Sequence, residues 1–190
     1  MNKSENQKEL EKTAVKERTL VYSGRIITVF EEKLHLENQK TTVIDHVFHP
    51  GAVAILPINQ ENKIICIRQW RRAAQTILLE IPAGVLEKDE DPLSAAQREL
   101  QEEIGYRPGK LIPLGGIYTA PGFCTEYIHF FIAKDLMYDP LWADDTDYID
   151  IVSYSLEELL ALVGRGEITD SKTLSALFLY QQWLKNQELE

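Results

Sequence analysis

The chain has 190 residues, 44% of them hydrophobic, enough for one sizeable core in one globular domain with a small appendage. A formal net charge of −10 excludes a nucleic-acid scaffold, which needs a basic surface to displace phosphate counterions. An acidic protein that acts on an anionic substrate must bring local arginines and cations to the meeting point. No apolar run reaches membrane-spanning length, and the polar start MNKSENQKELEKTAVKER lacks a signal pattern. Cys66 sits in an alternating apolar run and Cys124 stands apart from it, so a reducing cytoplasm is the expected location.

Residues 1–17 read as a solvated, partly helical lead-in. Strand-like runs at 19–22, 25–36 and 42–48, separated by Ser23-Gly24 and Glu37-Asn38-Gln39, predict a small antiparallel β-meander. Its apolar residues Leu20, Val21, Ile26, Ile27, Val29 and Phe30 exceed what so small a sheet can bury on itself, which leaves an edge for a second copy. The expected division is therefore residues 1–48, a dimerising lead-in and meander, and residues 49–190, the main domain.

From Pro50-Gly51 the runs become more apolar: GAVAILPI, KIICIRQW and LLEIPAG, then a helix, then LIPLGGIYTA and YIHFFIAK. An acidic loop, WADDTDY, precedes the strand IDIVSY. Ser155 and Glu158 form a capping box for the helix SLEELLALVGRG. A final helix over about residues 170–187 carries Leu174, Leu177, Phe178 and Leu184 on one side. Strands around a central helix, with further helices closing the end, predict an α/β sandwich with a mixed sheet.

The central helix carries the chemistry. Residues 84–106, GVLEKDEDPLSAAQRELQEEIGY, follow the spacing G-x5-E-x7-R-E-U-x-E-E-x-G-U, with U apolar. Asp91 is a good N-cap, Pro92 suits the first helical position, and Gly105 can adopt the left-handed conformation that ends a helix, predicting a helix over 92–104. At about 100° per residue, Glu99, Glu102 and Glu103 share an arc of about 100°, next to a stripe of Leu93, Ala96, Leu100 and Ile104. Carboxylates at i, i+3 and i+4 repel one another, and hard oxygen donors in a cluster suit Mg²⁺, with Mn²⁺ as a substitute. Arg98, one turn before Glu102, can orient it or Glu90.

This segment resembles the Nudix box, and the chain resembles a Nudix hydrolase. Outside the box, HPGAVAILP (residues 49–57), IRQWR (67–71), LLEIPAG (78–84), Pro121 within APGFCTE, and GEITDSKTLSALF (166–178) resemble the ADP-ribose pyrophosphatase branch. The resemblance covers roughly residues 19–185 and implies a Nudix-type α/β/α sandwich with strand exchange between dimer subunits through the small N-terminal sheet. It implies that the Ala83 carbonyl with Glu99 and Glu103 holds the divalent cations, with Glu102 as a further ligand or support and Arg98 beside it in the catalytic set. Arg71 would face the substrate's phosphates; Pro121 and Gly122 would meet the terminal ribose, with Val85 and Glu126 completing the substrate contacts.

Two departures from the family pattern stand out. The late acidic loop, where the family usually carries glutamates, reads Asp144-Asp145-Thr146-Asp147; Asp145 is the expected base and Asp147 a supplementary metal ligand, with Glu126 as the competing base. Asp45 stands where the branch commonly has an arginine for the adenine. The reaction this implies is Mg²⁺-dependent hydrolysis of a nucleoside diphosphate sugar, foremost ADP-ribose to AMP and ribose 5-phosphate. The alternatives are a pyrophosphatase for a UDP- or GDP-sugar, which Asp45 favours, and a nucleotide-binding module without turnover, which the retention of all four box glutamates disfavours.

Overall fold

In a computed structural model of the chain, which describes residues 3–37, 40–142 and 148–187, the polar lead-in folds as helix α1 (Lys3–Thr13) with no buried residue. Strand β1 (Val15–Ser23) starts earlier than hydrophobic alternation suggested, and the reason is charge. Glu17 pairs with Lys33 and Arg18 with Glu32 across the ladder, and Arg18 Nη2 lies 3.1 Å from Glu32 Oε1. Opposite charges on facing strands stabilise a polar stretch that apolar periodicity cannot detect. With β2 (Thr28–His35) and β3 (Thr41–Phe48), β1 forms an antiparallel sheet of order β1-β2-β3.

The chain separates into two compact units: Met1–Pro50 with Ala120–Glu126, and Gly51–Thr119 with Tyr127–Glu190. In the first, the segment after Ala120 runs along β3: Val47 N–H donates to the Phe123 carbonyl at 2.7 Å and Thr125 N–H to the Val47 carbonyl at 3.0 Å. The Thr125 hydroxyl donates to the His49 carbonyl and accepts from the His49 N–H.

The second unit contains two sheets. One has the order β7-β4-β9-β8, from β7 (Ala83–Val85), β4 (Ala52–Pro57), β9 (Tyr127–Tyr138) and β8 (Tyr106–Tyr118). Strands β4 and β9 run parallel and the other pairs antiparallel, so the sheet is mixed. The other has the order β10-β5-β6, from β10 (Ile149–Tyr154), β5 (Ile64–Arg71) and β6 (Thr76–Glu80). The expected single run LLEIPAG is split between the two sheets. Pro82 has no N–H for a ladder, and its carbonyl instead accepts from Ile55 N–H at 2.9 Å. Strand β8 reaches back to Tyr106 despite Pro108 and Pro113, which its position at the sheet edge tolerates.

Residues of β4 alternate between two cores, because successive side chains point to opposite faces. Val53 and Ile55 meet Ile65, Ile67, the helix α2 (Pro92–Glu103) through Ala95, Ala96 and Leu100, and its C-cap Ile104. Ala54 and Leu56 face Cys66, α3 (Leu156–Gly164) and α4 (Ser171–Gln187) on the other side. The result is the expected α/β/α sandwich. Burial pushes the Cys66 thiol up to about 12, and both cysteines are free. The α4 face that packs inward is Thr173, Ala176, Leu177 and Tyr180, whereas Phe178, expected there, is exposed. Among the described residues no helix is long and apolar enough to cross a membrane.

Candidate active site

Helix α2 begins as its sequence predicts. Asp91 is the N-cap, its Oδ2 accepting from Leu93 N–H at 3.1 Å and Ser94 N–H at 3.2 Å, and Pro92 opens the first turn. Gly105 ends it with φ 77°. The buried face differs in one residue from the expected stripe: Leu93 is exposed, and Ala95 packs in its place beside Ala96 and Leu100. Small residues in the second turn let the helix lie close to β4, and this brings Glu99 against β7. Glu99 is buried, and Gly84 lies so near that a Cβ built there would be 1.8 Å from its carboxyl carbon. With Glu99 in this position, only a glycine fits at residue 84, which forms the floor of a carboxylate cradle.

Arg98 organises the remaining carboxylates. Its Nε and Nη2 donate to the two oxygens of Glu90, each at 2.9 Å. Its Nη1 donates to Glu99 Oε1 at 2.7 Å and Glu102 Oε2 at 2.9 Å, and Nη2 also reaches the Val85 carbonyl at 3.3 Å. Sequence spacing offered Glu102 or Glu90 as its partner; the structure gives it both, and Glu99 as well. The Glu90 hydrogen bonds raise the Arg98 pKa above its usual value, against the effect of burial, and hold Glu90 below the usual carboxylate range. Burial raises Glu99, with Arg98 pulling it the other way.

Glu103 turns to the neighbouring strand, where its Oε2 accepts from Ala83 N–H at 2.9 Å. Its carboxyl is pushed up to about 8, chiefly by burial and further by Glu99, while the Ala83 amide, Arg71 and Lys172 oppose the rise. A carboxyl whose folded pKa lies above its ordinary value of 4.5 stabilises the fold fully below that value. The contribution is lost as pH rises through about 8. Chelator-treated protein should accordingly lose stability to urea across this window, and Glu103→Gln should flatten the slope. An identical slope in the variant would refute the account.

Among the described residues, no three carboxylate, imidazole or thiolate side chains converge on one point as a metal requires. Glu99 and Glu102 lean on Arg98, and Glu103 leans on Ala83. The donor set still fits a hard divalent cation: all its groups are oxygens, they project from one helix face, and the glycine cradle leaves Glu99 room beside β7. Assembly of such a site requires Glu99 and Glu102 to turn away from the guanidinium.

Arg71, expected to face substrate phosphates, forms a two-pronged bond with Glu80 through Nε and Nη2, each at 2.7 Å. Glu80 is fully buried, and sequence reasoning did not single it out. Burial drives its pKa up, but Arg71 and Lys172 outweigh that and leave it lowered. Pro121, Gly122 and Glu126 belong to the first unit, where Glu126 Oε1 lies 3.6 Å from His49 Nε2. Asp144, Asp145 and Asp147 lie outside the described residues. Asp45 stands opposite Glu31 in the β2–β3 ladder, so that position of the small sheet presents facing carboxylates.

Comparison with known proteins agrees with this architecture. The NUDIX domain family matches residues 48–177. The chain is 40% identical over 169 residues to an ADP-ribose pyrophosphatase of Bacillus subtilis, covering 88% of this chain and 90% of that protein. It is 39% identical over 170 residues to a methanol dehydrogenase activator of Bacillus methanolicus, at 88% and 90% coverage. A crystal structure of an ADP compounds hydrolase superposes with a TM-score of 0.82 and 28% sequence identity, covering 92% of this chain and 95% of that one. The chain belongs to the NUDIX family. It is a Nudix hydrolase.

Proposed function

We propose that this hydrolase splits the diphosphate bond of nucleoside diphosphate sugars, with ADP-ribose cleaved to AMP and ribose 5-phosphate as the foremost reaction. The observation that carries the reading is the complete carboxylate set of α2, cradled by Gly84 and ordered by Arg98. The ADP-ribose pyrophosphatase relative supports the choice of substrate.

In this reading the Ala83 carbonyl, Glu99 and Glu103 hold Mg²⁺, or Mn²⁺ in its place, with Glu102 and Asp147 as further ligands. The cations would neutralise diphosphate charge and acidify the attacking water. Arg98 gathers Glu90, Glu99 and Glu102 around one guanidinium and offsets their mutual repulsion; Glu99 and Glu102 would exchange it for the cation, while Glu90 would keep Arg98 in place. Arg71 keeps one edge on Glu80 and offers the other to the phosphates, and Val85, Pro121, Gly122 and Glu126 contact the rest of the substrate. Water adds to one phosphorus as the bond to the bridging oxygen breaks, and the departing phosphate retains that oxygen.

A panel of ADP-ribose, UDP-glucose, GDP-mannose, NADH and diadenosine compounds, each with Mg²⁺ and with chelator, tests the function. ADP-ribose should be turned over fastest, and only with metal; binding without turnover of any member would sink the enzymatic reading. Asp45 favours the second reading, a UDP- or GDP-sugar as preferred substrate, because it replaces a cation that would assist adenine.

The proton acceptor is assigned to Asp145. Asp145→Asn should cut kcat strongly with little change in KM, as for a group that acts only in the transition state. Asp147→Asn should be partly rescued by raised Mg²⁺. If Asp145→Asn leaves kcat intact and Glu126→Gln abolishes it, the base belongs to the APGFCTE segment.

The protein is further proposed to act as a homodimer through β1–β3, in the cytoplasm. All nine residues of β1 are exposed, Val15, Leu20, Val21 and Tyr22 among them. As the edge strand of its sheet, with β2 on one side only, β1 offers a template for association that carries these exposed apolar side chains. Sedimentation at micromolar concentration should show a dimer, and a monomer there would count against this surface.

A further inference from the structure

The starting point is a charge cluster between β6 and the first turn of α4. It gains a role only if the diphosphate-sugar reading above is correct. Glu80, the last residue of β6, has a fully buried side chain held from two directions. Arg71 Nε and Nη2 grip both oxygens, and Lys172 Nζ donates to Oε2. Lys172 donates also to Asp170 Oδ1 at 3.0 Å. The other oxygen of Asp170 accepts from Thr173 N–H at 2.9 Å and from the Thr173 hydroxyl at 2.6 Å. That hydroxyl in turn accepts from Ile81 N–H at 3.0 Å, so the start of α4 is tied to the chain leading into Ala83.

The two cations differ in exposure. The Lys172 side chain is 13% exposed and closed in behind Glu80, whereas that of Arg71 is 40% exposed. Lys172 is thus too enclosed to be a substrate contact. The two-pronged Arg71–Glu80 bond fixes the two groups relative to each other, but it leaves half of the carboxylate's hydrogen-bonding capacity unfilled and does not tie the pair to α4. Lys172 adds a third hydrogen bond to that carboxylate and has Asp170 as its own counterion at the start of α4, so the four charges balance and Glu80 is tied to the helix N-terminus. Both oxygens of Glu80 are thereby pinned, and the open Nη1 edge of Arg71 is aimed.

We propose that Lys172 is a positioning residue for the hydrolysis, fixing from behind the Glu80 carboxylate that aims Arg71 toward the substrate diphosphate. The test uses the full chain and the nucleoside diphosphate sugar that the wild type turns over best. Steady-state kinetics are run beside inhibition by non-hydrolysable α,β-methylene ADP-ribose and thermal melting. Lys172→Met should raise KM and the inhibition constant by about 10-fold or more, the scale of a charge-assisted hydrogen bond, with kcat held within about threefold. Lys172→Arg should restore most of the affinity, and Arg71→Ala should add little once Lys172 is gone.

Removing one cation leaves a buried carboxylate short of a partner, so the Lys172→Met protein can be unstable. Glu80→Gln in the same background relieves that imbalance. It should recover melting temperature while KM stays high. If KM recovers together with stability, or if Lys172→Met lowers stability and leaves KM unmoved, Lys172 is merely structural and the proposal falls. A wild type that turns over no nucleoside diphosphate sugar overturns the functional reading and this inference with it; normal wild-type turnover with unmoved KM in the variants overturns the inference alone.

Discussion

Glu103→Gln should lower kcat by at least about 100-fold while the protein remains folded, comparable with loss of a transition-state charge stabiliser. Glutamine retains the shape of the side chain and an oxygen that can accept the Ala83 N–H, so the contact between α2 and β7 survives. It has no negative charge to offer a cation. The substitution thereby separates the structural task of Glu103 from its chemical one. Saturating Mg²⁺ should not restore the rate. Near-wild-type turnover under that condition would remove Glu103 from the metal set.

Gly84→Ala should have an effect of similar size for a steric reason. The added methyl would stand 2.0 and 2.1 Å from the two Glu99 carboxylate oxygens, a separation no side chain tolerates. The colliding group is the end of a flexible side chain, so it can swing aside and the backbone need not move. Stability should therefore change by no more than about 1 kcal/mol. If Glu99 is a ligand as proposed, turnover should fall about 100-fold, because the methyl takes the space beside β7 from which Glu99 would reach a cation. Comparing the melting temperature and kcat of Gly84→Ala with those of the wild type decides the matter. A large loss of stability, or an unchanged kcat, would show that Glu99 is not held in a functional position by this glycine.

What the sequence disclosed follows from how local each feature is. Asp91, Pro92 and Gly105 bracket α2 through contacts within a few residues, and they could be read directly. The meander and the mixed sandwich were legible because turns and apolar runs alternate along the chain. Leu93 misled because it occupies the first turn, where a helix that leans on its second turn still overhangs solvent. The split of LLEIPAG could have been suspected at Pro82, the one residue there with no N–H. The Glu80–Lys172 contact could not, since 92 residues separate its partners and neither spacing nor composition links them. Arg71 is placed toward the phosphates by the family resemblance, which does not reveal that a buried carboxylate already holds one side of it.

The pairing of β3 with residues 123–125 bears on how the protein is made. His49 and Thr125 are 76 positions apart, so the first fifty residues leave the ribosome well before the segment that lies along β3 exists. At about 5–20 residues per second, the interval is roughly 4–15 s. During it, β3 has no neighbour on that side, and a nascent sheet with one flank open is prone to pair with whatever strand it meets. Translation speed across residues 50–125 thus sets how long the newborn sheet is at risk, and slow codons there would be more harmful to yield than slow codons near the C-terminus.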